Sequence, residues 1–123
     1  MSGNPVGWFE IYVQNMPRAR AFYEQVFATR LERLAGPDFE MWTFPMSIKR
    51  TGSSGSLVQF PGVPSGGNST VVYFNCADCA VEESRVVPAG GTVHRPKTAI
   101  GEHGFISLVH DTEGNLIGLH SRS

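Results

Sequence analysis

One plan of alternation, cap and helix occurs twice in this chain, 63 residues apart. Aligning Asn15 with Asp78 without gaps sets Phe9 on Val72, Ile11 on Phe74, Val13 on Cys76, Val26 on Ala89 and Ala28 on Gly91. In each copy a strand-like alternation runs into a residue able to cap a helix, and an apolar stripe of helical spacing follows. "FEIYV" leads to Asn15, with Pro17 inside the first turn and Met16, Ala19, Phe22, Tyr23, Val26 and Phe27 on the stripe. "TVVYFN" leads to Asp78 and "CAVEESRVVPAG", which ends near Pro88 and the Gly90-Gly91 pair. Residue identity between the copies is low, so the pattern carries the case.

Three more strands complete each copy. "RLERL", "FEMWTFPM" and "SLVQF" follow the first helix, with "SIKRTGSSG" as a loop. "TVHRP", "GFISLVH" and "NLIGLH" follow the second, the last two joined by the turn "DTEGN". The Pro, Gly and Ser-rich stretch 61–69 reads as a linker between repeat 1, residues 6–60, and repeat 2, residues 70–121. Half of such a chain cannot bury both its helix and its sheet, so the two β-α-β-β-β units must pack together as one α+β domain over residues 1–123. Apolar residues at 41% and charged residues at 17% agree with a globular chain. A net charge of −1 without a basic block gives nucleic acid no electrostatic footprint. No apolar run reaches the roughly 18 residues of a membrane helix, and "MSGNPVGW" is unlike a signal segment, so the expectation is a soluble, cytoplasmic protein.

Two such units in one chain resemble the vicinal oxygen chelate superfamily, which includes glyoxalase I, bleomycin resistance proteins and extradiol dioxygenases. The resemblance rests on residues. Asn15, Arg18, Ala19, Phe22 and Tyr23 match a recurring "D-x-x-R-A-x-x-F-Y" run, and "DTEGNLIGLHS" looks like the closing "D-x-x-G-N-x-x-x-L" hairpin. "VYFNCADCAVEE" and "PAGGTVHRPKTAIGEHGF" are similar to a branch related to lactoylglutathione lyase. The resemblance implies that the sheets curl into a cup with the helices outside. It also implies a metal held by His and Glu from four strands. Carried over, those positions fall on Trp8, Val71 and Gly118, with Gln59 as the candidate on the remaining strand. None is His or Glu, so no metal or other cofactor is expected at the usual site.

Glu10 lies in the middle of the first strand, where a carboxylate must find a partner or reach water. Side chains alternate along a strand. With Phe9, Ile11 and Val13 under the helix, Trp8, Glu10 and Tyr12 face the cup, together with Val71, Tyr73 and Asn75, and with Leu116, Gly118 and His120. Glu10 and His120 are the candidate acid/base pair, able to abstract a proton beside a carbonyl. Trp8, Tyr12, Trp42, Tyr73, Asn75, His103 and Phe105 are the candidate ligand contacts, the last two on or beside the loop "AIGEHGF". His94 and His110 read as surface residues. Cys76 and Cys79 form a C-x-x-C pair without a second pair, so they read as small buried hydrophobes rather than a zinc or redox centre. The expected function is binding of a small carbonyl or aromatic molecule in the cup, with lyase or isomerase-like chemistry if it is an enzyme. The alternative is non-catalytic sequestration of the bleomycin-resistance type. The resemblance also implies a homodimer.

Overall fold

A computed structural model describes residues 4–34, 38–47, 49 and 52–123. Repeat 1 contributes β1 (Phe9–Tyr12), α1 (Met16–Val26), β2 (Glu32–Leu34), β3 (Glu40–Thr43) and β4 (Gly55–Gln59). Repeat 2 contributes β5 (Tyr73–Asn75), α2 (Cys79–Val86), β6 (Thr92–Ala99), β7 (Phe105–His110) and β8 (Leu116–Ser121). Each unit is a four-stranded mixed sheet, in the orders β1-β4-β3-β2 and β5-β8-β7-β6, with its first and last strands parallel. The loop expected over 47–55 falls partly outside the described residues.

Both helices begin as their cap residues dictate. Asn15 is extended, and its side chain accepts the Arg18 amide at 3.1 Å. Asp78 accepts the Ala80 amide at 3.0 Å, and the ammonium of Lys97 lies 2.8 Å from the same oxygen. Met16, Ala19, Phe22, Tyr23 and Val26 are all buried, so the spacing read as a stripe is the face that enters the core. α1 stops at Phe27 because Ala28 adopts φ +50°, a left-handed turn. Ile11 and Val13 join that core with Leu57, Val109, Ile117 and Leu119, so a single apolar core spans both repeats.

The chain departs from the strand expectations in two places. β6 runs beyond "TVHRP" to Ala99, through register shifts between Val93 and Arg95 and between Arg95 and Thr98. A strand tolerates Pro96 here because β6 is an outer edge, where the missing N–H breaks no ladder on both sides. The segment 61–69 is laced down rather than free. Ser65 donates to the Tyr12 carbonyl at 2.6 Å, and the Gly66 amide donates to Asn115 Oδ1 at 2.7 Å. Asn68 pairs with the main chain of Leu116 as a strand would.

The repeats are joined through the turn at 111–115 rather than through their sheets. The Glu113 carboxylate is fully buried and accepts the Arg18 guanidinium at 2.7 and 2.9 Å, the Gln14 and Asn15 amides, and the Thr112 hydroxyl. Tyr23, buried in α1, donates to Asp111 at 2.6 Å. Arg85 of α2 donates to the Val26 carbonyl at the end of α1. Burial alone would raise the Glu113 pKa, but the Arg18 fork and the amide and hydroxyl donors outweigh it and hold the group at about 2, below its ordinary 4.5. The unfolded chain therefore takes up this proton first as pH falls. The stabilisation is complete above pH ~5 and is lost between about 4.5 and 2, on the order of 3 kcal/mol in all. Chemical denaturation of the wild type across that window should show this loss, and Glu113→Gln should cost about 2–3 kcal/mol at pH 7 and flatten the acid dependence.

Candidate functional site

β1 and β5 are both sheet edges, and no backbone hydrogen bond joins them among the described residues. They meet through side chains, Phe9 edge-on to Phe74 at 5.8 Å and both against Phe44. The seam opens into a groove. One section, about 610 Å³, is walled by Trp8, Tyr73 and Asn75 over a floor of Phe9, Phe44 and Phe74. A second, about 220 Å³, is lined by Glu10, Tyr12, Asn68, Asn115 and Leu116. Thr70 and Val72 belong to both, so the two sections adjoin.

The registers fix which side chains share the groove face. Glu10 pairs with Ser56 and Tyr12 with Val58, while Tyr73 pairs with Gly118 and Asn75 with His120. Trp8 is 39% and Tyr73 46% exposed, a large apolar area left open on a concave surface. The Tyr73 ring lies flat on Gly118, where even a Cβ would overlap it. Glu10 is exposed and accepts the Tyr12 hydroxyl at 3.1 Å, which raises the Tyr12 pKa and keeps its phenol a donor.

The candidate acid/base pair is not assembled. Glu10 bonds to Tyr12, and His120 Nε2 lies 2.7 Å from the His103 carbonyl, so each group has a different partner. His103 meets the site only through that carbonyl. Its ring is 73% exposed and lies 3.7 Å from Glu102. Trp42 is on the opposite side of the sheet from the groove. It shares the face of Leu57, with the Arg20 guanidinium 3.4 Å over its ring and its indole N–H donating to Glu40. Phe105 likewise shares the face of Ser121, whose hydroxyl accepts the Cys79 amide of α2, and it packs under Lys97. Both aromatics are therefore packing residues beside the helices. Parity hid this, because each follows a loop whose length leaves the face open.

Gln59 faces the same way as Trp42 and accepts the Met16 amide at 2.8 Å, so it is a helix-start acceptor. Ser56 stands to Glu10 as Gly118 stands to Tyr73, which puts Ser56 at the remaining ligand position. Its hydroxyl is buried and without a partner among the described residues. The indole, isopropyl group, hydroxyl and bare glycine of Trp8, Val71, Ser56 and Gly118 do not fit a divalent metal, which needs imidazole, carboxylate or thiolate. Among the described residues no three His, Cys, Asp or Glu side chains cluster elsewhere either.

With this geometry in view, relatives place the chain. Residues 6–119 match the model of the Glyoxalase/Bleomycin resistance protein/Dioxygenase superfamily, and the chain belongs to that family. No curated protein matches it at a significant level. Among solved structures, TnmS3, an antibiotic binding protein from Streptomyces sp. CB03234, is similar at TM-score 0.74 and 24% identity, over 100% of this chain and 99% of that one. A glyoxalase/bleomycin resistance protein from Albidiferax ferrireducens T118 aligns at TM-score 0.73 and 17% identity, over 97% and 100%. Glyoxalase I from Zea mays aligns at TM-score 0.75 and 18% identity, over 96% of this chain and 46% of that one. The chain thus spans about half the length of the maize enzyme. These likenesses show the fold. No helix among the described residues is long and apolar enough to cross a membrane.

The cysteines lie outside the groove. Cys79 is fully buried at the start of α2. Burial, with Glu82 beside it, pushes the Cys76 thiol up to about 12. Such a thiol stays protonated and is a poor nucleophile. Iodoacetamide at pH 8 should leave the folded protein unlabelled by mass spectrometry, and should label both cysteines after denaturation.

Proposed function

We propose that this chain binds a small aromatic molecule in the β1–β5 groove, as a sequestering protein without the superfamily's usual metal. The observation that carries this is the pair of exposed aromatic walls, Trp8 and Tyr73, on a concave seam floored by three phenylalanines. A groove of about 610 Å³ has the size of sites for drug-like molecules. A flat ligand stacks on such walls, and the similar fold of TnmS3, an antibiotic binding protein, supports the reading. The separate partners of Glu10 and His120 favour binding over proton abstraction. Intrinsic fluorescence tests the reading. A panel of planar aromatics should quench Trp8, and Trp8→Ala should weaken binding by about three- to tenfold, as stacking on one ring is worth about 0.5–1.5 kcal/mol. A panel without binders would overturn it.

Pairing of two copies belongs to the same proposal. Away from the seam, the outer strand β2 carries Glu32 on the groove-side face of the repeat 1 sheet, and the repeat 2 sheet carries Arg95 and His110 on its own. One copy can therefore set Glu32 against the Arg95 side of another and leave Glu10 open. Sedimentation velocity at micromolar concentration should show a dimer that weakens with added salt.

A further inference from the structure

Resting on the aromatic-binding reading above, we propose that the groove selects an aromatic ligand that carries a positive charge, a protonated amine or iminium, and that Glu10 is the residue that selects it. Across both sections of the groove, Glu10 is the single charged residue among the described residues of the lining. No ion pair reaches it among the described residues, although carboxylates elsewhere in the chain are taken by cations, Glu113 by Arg18 and Asp78 by Lys97. Among the described residues its one partner is the Tyr12 hydroxyl, which occupies one oxygen of this exposed carboxylate and leaves the other free.

The surroundings suit a cation for a second reason. Trp8, Glu10 and Tyr12 alternate onto one face of β1, so the carboxylate is flanked on both sides by aromatic rings, each about 6.6 Å along the strand. Tyr73 presents a further face across the seam. Aromatic faces attract cations through the ring quadrupole, and a carboxylate among them adds direct charge attraction. An anionic aromatic finds the reverse. Among the described residues the lining offers it no lysine, arginine or histidine, and it brings it against Glu10. The other polar side chains described in the lining, among them Asn68, Asn75, Asn115, Ser53 and Thr70, carry no charge. The ligand class is therefore a planar aromatic amine, stacked between Trp8 and Tyr73 with its cationic edge toward Glu10.

Three planar tricyclic probes separate this from the binding reading itself: cationic proflavine, neutral acridone and anionic anthracene-9-carboxylate. Fluorescence titration of the wild type should give proflavine at least about tenfold tighter binding than acridone, with anthracene-9-carboxylate weakest. Glu10→Gln keeps size and hydrogen bonding, lies at an exposed position, and should melt as the wild type does. It should weaken proflavine about tenfold, leave acridone within about twofold, and remove the salt dependence of proflavine binding. Trp8→Ala should weaken all three probes. If proflavine and acridone bind equally and Glu10→Gln changes neither, the charge selection is overturned and the aromatic groove stands. If anthracene-9-carboxylate binds best, the sign is wrong and the inference falls. If none of the three binds, the groove reading falls with it.

Discussion

The buried carboxylate of Glu113 is the constraint on which the rest of the molecule depends. It sits in a turn of repeat 2 and gathers donors from the start of α1, two backbone amides and a bidentate guanidinium. A buried charge without those donors would be strongly unfavourable, so the turn and the helix start have one acceptable mutual position. Asp111 fixes the same turn from inside by accepting Tyr23, the Glu113 and Asn115 amides and the Asn115 side chain. Asn115 then reaches the Tyr12 carbonyl and the Gly66 amide, which ties the connecting segment to β1. Five consecutive residues thereby position the helix, the linker and the first strand.

Joining the repeats in this way leaves the seam free. If β1 and β5 were hydrogen bonded to one another, their edges would close and the groove would have no mouth. Because the helices and the turn carry the load, the two edge strands need only touch, and Phe9 and Phe74 provide that contact. The Gly118 position has a matching role. Without a side chain there, the Tyr73 ring lies down on the sheet and becomes wall rather than obstruction. Binding surface and scaffold are thus separate parts of the chain.

Most of the fold was legible because its signals are local. Asn15 and Asp78 announce their helices by chemistry, and the spacing from Met16 to Val26 announces the buried face. The alternation of Trp8, Glu10 and Tyr12 against Phe9, Ile11 and Val13 gave the correct face of β1 for the same reason. The site was legible only where it rode on such strands. Trp42 and Phe105 come after loops, where one residue more or fewer turns a side chain to the other face. Gln59 stands out in "SLVQF" by its amide, whereas Ser56, three residues earlier and beside Glu10, emerges only from the register. The separation of Glu10 from His120 depends on the path of residues 101–104, which brings the His103 carbonyl to His120, and no periodicity predicts a loop path. The double role of "DTEGN" was also hidden. A turn rich in acids reads as solvated, and only the three-dimensional arrival of Arg18 and Tyr23 makes it a lock.

The outer edges of the two sheets bear on how this chain behaves when crowded. A long regular edge strand is a template on which further chains can polymerise. β2 offers three residues, and β6 is broken by Pro96, by two register shifts and by the ammonium of Lys97 drawn back to Asp78. Among the described residues, the shortness of β2 and the irregularity of β6 both work against extension by a foreign strand. The outer edges thereby work against open-ended fibrous growth and favour self-association through side-chain surfaces, which can be finite, reversible and responsive to salt.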